Sequence, residues 1–353
     1  MQTYLLTGYP GFLASRLLEE LMERHEGDHY ALLVHPSQFE KAKKLTVNKR
    51  NVELFPGDIT KKGLNLTFEQ AEWLRENTAY VFHLAAVYDL AVPKQIAEAV
   101  NVTGTDNVNR FVQSLTNLKR YVYFSTAYVS GQRTGLIKED ELDAGQTFKN
   151  HYESTKFAAE RLVAELTGVT YTIIRPGVVV GHSLTGETIK FDGPYFIMRF
   201  LDRIRYMPIP YLGKSEALFN VVPADYIINA TLCLSESEEA VNRAFHLTDP
   251  SPYESRELYR MICEELLGKK PSWTISPAFV EFALSFSVIR RLFKVEKEAL
   301  EYFRCTSQYD ASQAKEVLEK WGVRCPDFKD YVANLVQYYK NHRMDSEKLI
   351  NVK

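Results

Sequence analysis

Tyr4–Arg24 reads YLLTGYPGFLASRLLEELMER. A short apolar run ends at Thr7, two glycines follow at Gly8 and Gly11, and from Ala14 apolar residues recur at helical spacing. A strand that turns on glycines into a helix brings backbone N–H groups onto an anion at the helix N-terminus. Ala14 stands where a third glycine is usual and is small enough for helix and strand to pack closely. Two glycines also mark plain turns; it is their place between a first strand and a first helix that selects phosphate binding. Thr7, Gly8, Gly11, Phe12 and Leu13 are the candidate contacts of this turn.

Working outward, strand-like and helix-like runs keep alternating. HYALLVH, NVELFPGD, AYVFHLAAV, RYVYFSTAY and TYTIIRPGVVVG are β-rich, and most are separated by amphipathic segments such as AEAVNVTGTDNVNRFVQSL. That alternation predicts an α/β fold, a Rossmann-type doubly wound parallel sheet with helices on both faces. Ligands of such sheets bind at the carboxyl ends of the strands, near the switch in strand order. The alternation loosens after Gly181, so residues 1–180 are read as the nucleotide-binding domain and 181–353 as a smaller, mostly helical substrate-binding region. Residues 218–235, a loop entering a helix, are expected to return to the first domain, and NRAFHLTDP looks like a strand.

Bulk composition narrows the class. A net charge of -2 gives no basic face for tracking phosphates, which speaks against nucleic acid. Cys233, Cys263, Cys305 and Cys325 are scattered, with no CxxC pair and no histidine at ligand spacing, so neither a disulfide framework nor a metal site is expected. No signal peptide is read at the N-terminus, and the apolar stretch Pro277–Ile289 is too short to span a bilayer. The expected location is cytoplasmic.

The ends of successive strands carry the cofactor argument. An acidic residue after the second strand would hold a ribose 2′-hydroxyl; the chain has His35 there, with Lys41 and Lys44 following. The missing acid favours NADP, with NAD still open. His35 is otherwise a strand-end residue and the lysines a solvated helix face. Asp58 after the third strand is either an acceptor for an adenine amino group, with Ile59 on the ring, or a turn aspartate. Ala85 and Ala86 end the fourth strand with side chains small enough for close backbone approach.

Chemistry enters with FSTAYVSG and HYESTK. Ser125 and Thr126 end the fifth strand, and Tyr152 precedes Lys156 by four residues, which places both on one helix face. A carbonyl that accepts hydride develops negative charge on oxygen and needs a proton donor and a hydrogen-bond donor there. A cation beside a phenol favours the phenolate and draws its pKa toward neutrality. An isolated YxxxK is more often a tyrosine and a surface lysine; the order of glycine turn, strand-end hydroxyls and YxxxK makes the combination specific.

These motifs resemble an extended short-chain dehydrogenase/reductase. TGYPGFLA, LLVHP, GDIT, FSTAYVSG, IIRPGVVVG and FNVVPADYI most resemble its fatty acyl-CoA reductase and thioester reductase branch, over Thr7 to about Ile228. The resemblance implies Tyr152 as general acid, Lys156 on the nicotinamide ribose and lowering the tyrosine pKa, and Thr126 on the carbonyl oxygen, with Ser125 in reserve. It also implies cofactor contacts at Pro176, Gly177 and Val179, and a homodimer through Val100–Leu115 and Tyr152–Leu166. His35 departs from the arginine common in that branch.

The expected function is NADP(H)-dependent reduction of an apolar carbonyl compound, an acyl thioester or long-chain aldehyde. Alcohol or steroid-like dehydrogenases stay open as alternatives. Sugar-nucleotide epimerases are disfavoured by Arg175-Pro176-Gly177, where such enzymes carry asparagine, and dehydratases by Ala127-Tyr128 after Thr126. A dinucleotide sensor without turnover is the non-enzymatic alternative. Tyr195–Tyr211 and Pro277–Phe293 are either plain core or the walls of an acyl groove. The stripe Phe279, Phe282, Phe286 and Ile289, with Arg290, Arg291 and Lys294, leaves a membrane-surface helix as a third reading.

Overall fold

The computed structural model describes residues 1–88, 92–212, 217–276 and 306–349. Strands β1 (Thr3–Thr7), β2 (His29–Val34), β3 (Val52–Pro56), β4 (Thr78–His83), β5 (Arg120–Phe124), β7 (Tyr171–Pro176) and β11 (Arg243–Leu247) form one seven-stranded sheet. Its order is β11-β7-β5-β4-β1-β2-β3, parallel throughout. Apolar content on both faces of the strands is what a parallel sheet buried on both sides requires: every residue of β1 and β5 is buried.

One face carries Tyr4, Leu6, Phe82, Val122 and Ile174 against α1 (Phe12–Arg24) and α8 (Ala224–Glu236). The other carries Leu5, Val81, Tyr121 and Ile173 against α5 (Gly104–Gln113) and α6 (His151–Ala164). Strand order reverses between β1 and β4, so the ligand crevice lies beyond Thr7 and His83.

A second apolar core is built by α7 (Pro194–Arg203), α9 (Ser255–Leu267) and α11 (Phe328–His342), which bury Tyr195, Met198, Leu201, Ile262, Tyr331 and Leu335 together. In Tyr195–Tyr211 the buried aromatics and Met198 are thus core residues. Pro277–Phe293, with Arg290, Arg291, Lys294 and Cys305, lies outside the described residues.

The expected boundary at residue 180 places too little in the nucleotide unit. NRAFHLTDP supplies β11, the edge strand paired to β7, and α10 (Ser312–Glu319) packs Ala314, Val317 and Leu318 into the core under the sheet. Glu139 makes that docking specific. Fully buried, it accepts from the backbone N–H groups of His246 (2.9 Å), Gln313 (2.7 Å) and Ala314 (3.2 Å), capping α10 and tying it to β11.

Burial pushes the Glu139 carboxyl up to about 7, and burial with Arg175 beside it pushes His246 down to about 3. Folded Glu139 therefore binds more protons than unfolded Glu139 between pH 4.5 and 7, and its contribution to stability falls as pH rises through that window. His246 contributes the opposite slope between pH 3 and 6.5. Glu139→Gln removes only the falling contribution, so the variant gains stability more steeply than the parent from pH 4.5 to 7. Urea midpoints across that range check this; parallel curves would contradict it.

Candidate functional site

The glycine turn meets the end of β4 backbone to backbone. Gly8 has φ +89, and a Cβ there would stand 2.8 Å from the Ala85 nitrogen and 2.9 Å from the Leu84 carbonyl carbon. Gly11 caps α1 with no side-chain hydrogen bond and no acidic residue in the first turn, and a Cβ on it would meet the Gly8 oxygen at 2.7 Å. A helix start of this kind, bare and narrowed to glycine width, fits a pyrophosphate. Gly8→Ala is expected to weaken dinucleotide binding by roughly tenfold or more and to lower the melting temperature, through positive φ and that close approach. Titration calorimetry and thermal unfolding measure the two; unchanged affinity would remove Gly8 from the cradle.

Other expected cofactor residues are distributed along the same edge. His35 is exposed, with Nδ1 2.8 Å from Ser37 Oγ. Asp58 Oδ1 accepts from the Thr60 nitrogen (2.9 Å) and hydroxyl (2.8 Å), which is turn chemistry. Ile59 is only 9% exposed and sits against Gly104, leaving little of it for an adenine ring. Phe12, Leu13, Ala85 and Ala86 are half-buried. Pro176 ends β7, and Val179 lies in β8 (Val178–Val180), paired to Val222 of β10 (Val221–Pro223). Gly177 is packed by Asn220, whose Oδ1 would lie 2.7 Å from a Cβ.

Thr7 departs from expectation. Its side chain turns inward, with Oγ1 2.7 Å from His83 Nδ1 and accepting the Ala85 N–H at 3.1 Å, instead of facing the crevice. Ser125 also turns away: its hydroxyl bonds Glu160, which holds Arg175 through Nε at 2.9 Å and Nη2 at 2.6 Å. Ser125 is thereby part of a buried ion-pair network beneath the crevice.

Thr126 and Tyr152 do come together. Both are buried and their hydroxyls are hydrogen-bonded, while Tyr88 presents its ring edge-on to Tyr152 at 5.1 Å between centroids. Asn150 caps α6 by accepting from the Glu153 nitrogen at 3.0 Å, fixing Tyr152 in the first turn. Asn101 joins the loop after β4 to the same helix, accepting from the Val87 nitrogen (2.9 Å) and donating to the Thr155 hydroxyl (3.0 Å). Asn101 lies in the π-helical stretch Glu98–Thr103, which no local pattern singles out.

Lys156 shares the helix face but not the expected contact. Its Nζ donates to the Tyr123 phenol oxygen at 3.0 Å and to the Phe124 carbonyl, and lies 4.4 Å from the Tyr123 ring centre. Burial pushes the Tyr152 phenol above its ordinary pKa; the opposing pull comes from Thr126, not from the lysine. Burial lowers Lys156 to about 7 against the attraction of Glu160. Tyr123, His83, Asn101 and Glu160 are site residues that sequence reasoning passed over. Only His83 and Tyr123 left a legible trace, as polar groups near the ends of otherwise apolar strands.

A glycine turn at the switch point of a doubly wound sheet, with Thr126 just past a neighbouring strand and Tyr152 and Lys156 one turn apart on α6, defines an extended short-chain dehydrogenase/reductase type of nucleotide-binding protein. The chain belongs to the male sterility protein family, an NAD-binding family whose model matches residues 6–231. It is similar to the non-canonical nonribosomal peptide synthetase cpsA of Aspergillus campestris, 28% identical over 75% of this chain and 28% of that protein. It is also similar to the putative fatty acyl-CoA reductase CG8303 of Drosophila melanogaster, 26% identical over 65% of this chain and 51% of that one. The chain thus spans about half or less of the length of these curated relatives. Among solved structures, the terminal R domain from the myxalamid PKS-NRPS biosynthetic pathway superposes with a TM-score of 0.82 at 25% identity, covering 99% of this chain and 93% of that domain. Among the described residues no helix is long and apolar enough to cross a membrane, and no group of His, Cys, Asp or Glu is placed to hold a metal.

Proposed function

We propose that this chain is an NADP(H)-dependent reductase of an apolar carbonyl compound, an acyl thioester or the aldehyde derived from it. The observation that carries the reading is the buried hydroxyl pair Thr126–Tyr152, set beside Lys156 at the carboxyl edge of the sheet. The cradle of Gly8, Gly11 and the start of α1 would hold the pyrophosphate, and His35, with no acid at the end of β2, favours a 2′-phosphorylated ribose. The nicotinamide, when bound, supplies hydride.

The chain's own residues do the rest. Thr126 and Tyr152 donate hydrogen bonds to the carbonyl oxygen as charge develops on it, and Tyr152 passes its proton to that oxygen. Burial that raises the Tyr152 pKa keeps it protonated and ready to donate at neutral pH. Lys156, brought to the nicotinamide ribose, would offset the phenolate left behind. The ring of Tyr88 packs edge-to-face against Tyr152. Relatives named as a fatty acyl-CoA reductase and an R domain support a thioester substrate.

Titration of the purified protein with NADPH and NADH, followed by a panel of acyl-CoAs and long-chain aldehydes, tests the reading. NADPH-selective binding with substrate-dependent oxidation supports it. Tight binding with no oxidation by any carbonyl would move the chain to a sensor, and no binding of either dinucleotide would overturn the assignment.

A further inference from the structure

Tyr152, Lys156 and Glu160 follow one another at four-residue steps along α6, so their side chains form a single stripe on that helix. The stripe faces the end of β5, and each of its members makes a polar contact there. The Tyr152 hydroxyl is hydrogen-bonded to Thr126, Lys156 Nζ donates to the Phe124 carbonyl and the Tyr123 phenol, and Glu160 Oε2 accepts from the Ser125 hydroxyl. Helix and strand end are thus joined by three rungs. All of them lie inside the protein: Ser125, Thr126, Tyr152, Lys156 and Glu160 are each 8% exposed or less.

The rungs differ in what the proposed chemistry does to them. The first opens when a carbonyl oxygen takes the Thr126 and Tyr152 hydroxyls, and the second when Lys156 moves to a ribose. Both events belong to the reductase reading, on which this inference rests. The third rung has no part in either, because its atoms are already committed. Arg175 of β7 donates to Glu160 Oε1 from Nε at 2.9 Å and from Nη2 at 2.6 Å, and a carboxylate held by a guanidinium has no proton to give. The Ser125 hydroxyl proton therefore goes to Oε2, and the Ser125 backbone N–H goes to the Ile174 carbonyl at 2.7 Å. Ser125 keeps no proton for a substrate oxygen, yet it is joined directly to Thr126 in the chain.

We propose that Ser125 and Glu160 are positioning residues. Their hydrogen bond, anchored from behind by Arg175, holds α6 and the end of β5 in register while the other two rungs open, and so sets the spacing of the Thr126 and Tyr152 hydroxyls. That spacing governs the rate because both hydroxyls must meet one oxygen atom, and a displacement of about 1 Å at such a site costs up to roughly 10²-fold. A carboxylate suits the task. Accepting at one oxygen from the end of β5 and at the other from β7, it fixes α6 against two neighbouring strands at once.

Ser125→Ala tests this, since it removes the third rung and leaves the Glu160–Arg175 ion pair and both reacting hydroxyls in place. Its kcat with a substrate from the acyl panel is expected to fall by roughly tenfold or more, with KM and NADPH affinity within about threefold of the parent. Ser125→Thr, which returns a hydroxyl to the same Cβ, should recover most of the loss. A second readout needs no ligand. In protein carrying 13C at the tyrosine Cζ, the Tyr152 signal, identified by its loss in Tyr152→Phe, reports the hydrogen bond to Thr126. Ser125→Ala should shift that signal and Ser125→Thr should return it. A kcat within about threefold of the parent overturns the proposal. So does a fall in kcat with the Tyr152 signal unmoved, which would make Ser125 itself a contact of the substrate oxygen. If the parent oxidises NADPH with no carbonyl compound, the proposed function fails instead, and the Tyr152 signal still decides whether Ser125 and Glu160 set the spacing.

Discussion

Tyr152→Phe is expected to lower NADPH-dependent turnover by roughly 10²–10⁴-fold, the range that a positioned general acid supplies. The substitution removes one oxygen from a buried residue and leaves Thr126 still accepting from the Tyr128 nitrogen at 3.3 Å, so the strand end and the helix keep their places. Dinucleotide affinity should change by no more than about threefold, because the pyrophosphate cradle lies on the glycine turn. The loss therefore falls on the chemical step. Steady-state kinetics with a substrate from the acyl panel, beside a binding titration, separate the two. Turnover within about threefold of the parent would refute the proton-donor role.

The largest stability effect is expected at Arg175. Its guanidinium is held by Glu160 at 2.6 and 2.9 Å, donates to the Glu139 carbonyl at 2.9 Å, and approaches His246 Nε2 at 3.3 Å, all in the interior. Arg175→Met leaves the Glu160 carboxylate buried without its cation, a class of change that costs about 3–5 kcal/mol. That is a large fraction of the ~5–15 kcal/mol by which domains are stable. Urea unfolding at pH 7 measures it. The paired variant Arg175→Met/Glu160→Leu should recover more than half, because removing both charges relieves the desolvation cost that removing one exposes. If the double variant is no more stable than Arg175→Met, the cost lies in lost packing and not in the stranded charge.

Sheet and helices were legible in the sequence because a parallel sheet buried on both faces imposes long-lived local signals. Uninterrupted apolar runs such as YLLT and RYVYF, and apolar residues at helical spacing between them, have one compact arrangement with helices on both sides. The glycine turn was legible because few residues other than glycine can take positive φ with a neighbouring backbone 2.8 Å from the Cβ position. Harder to read were the short pairings. Strand β6 (Gly135–Ile137) pairs with β13 (Ser307–Tyr309) across some 170 residues, and three residues of strand carry too little pattern to announce a partner.

The site divides along the same line. YxxxK placed Tyr152 and Lys156 on one helix face because helix geometry is local. Which atom Lys156 touches depends on Tyr123, 33 residues away on the strand beneath, and there a phenol oxygen and a strand-end carbonyl capture the amine. Thr7 and Ser125 sit at strand ends as expected, yet both hydroxyls turn to buried partners, His83 and Glu160.

From residue order alone came the class of fold, the crevice at the ends of the strands, and the residue types gathered there, since periodicity and glycine are constraints on neighbouring backbone. Tertiary structure alone decided which polar atoms face that crevice and which are consumed beneath it. A buried donor or acceptor bonds whatever the packing of distant segments brings within about 3 Å, and no stretch of sequence records that choice.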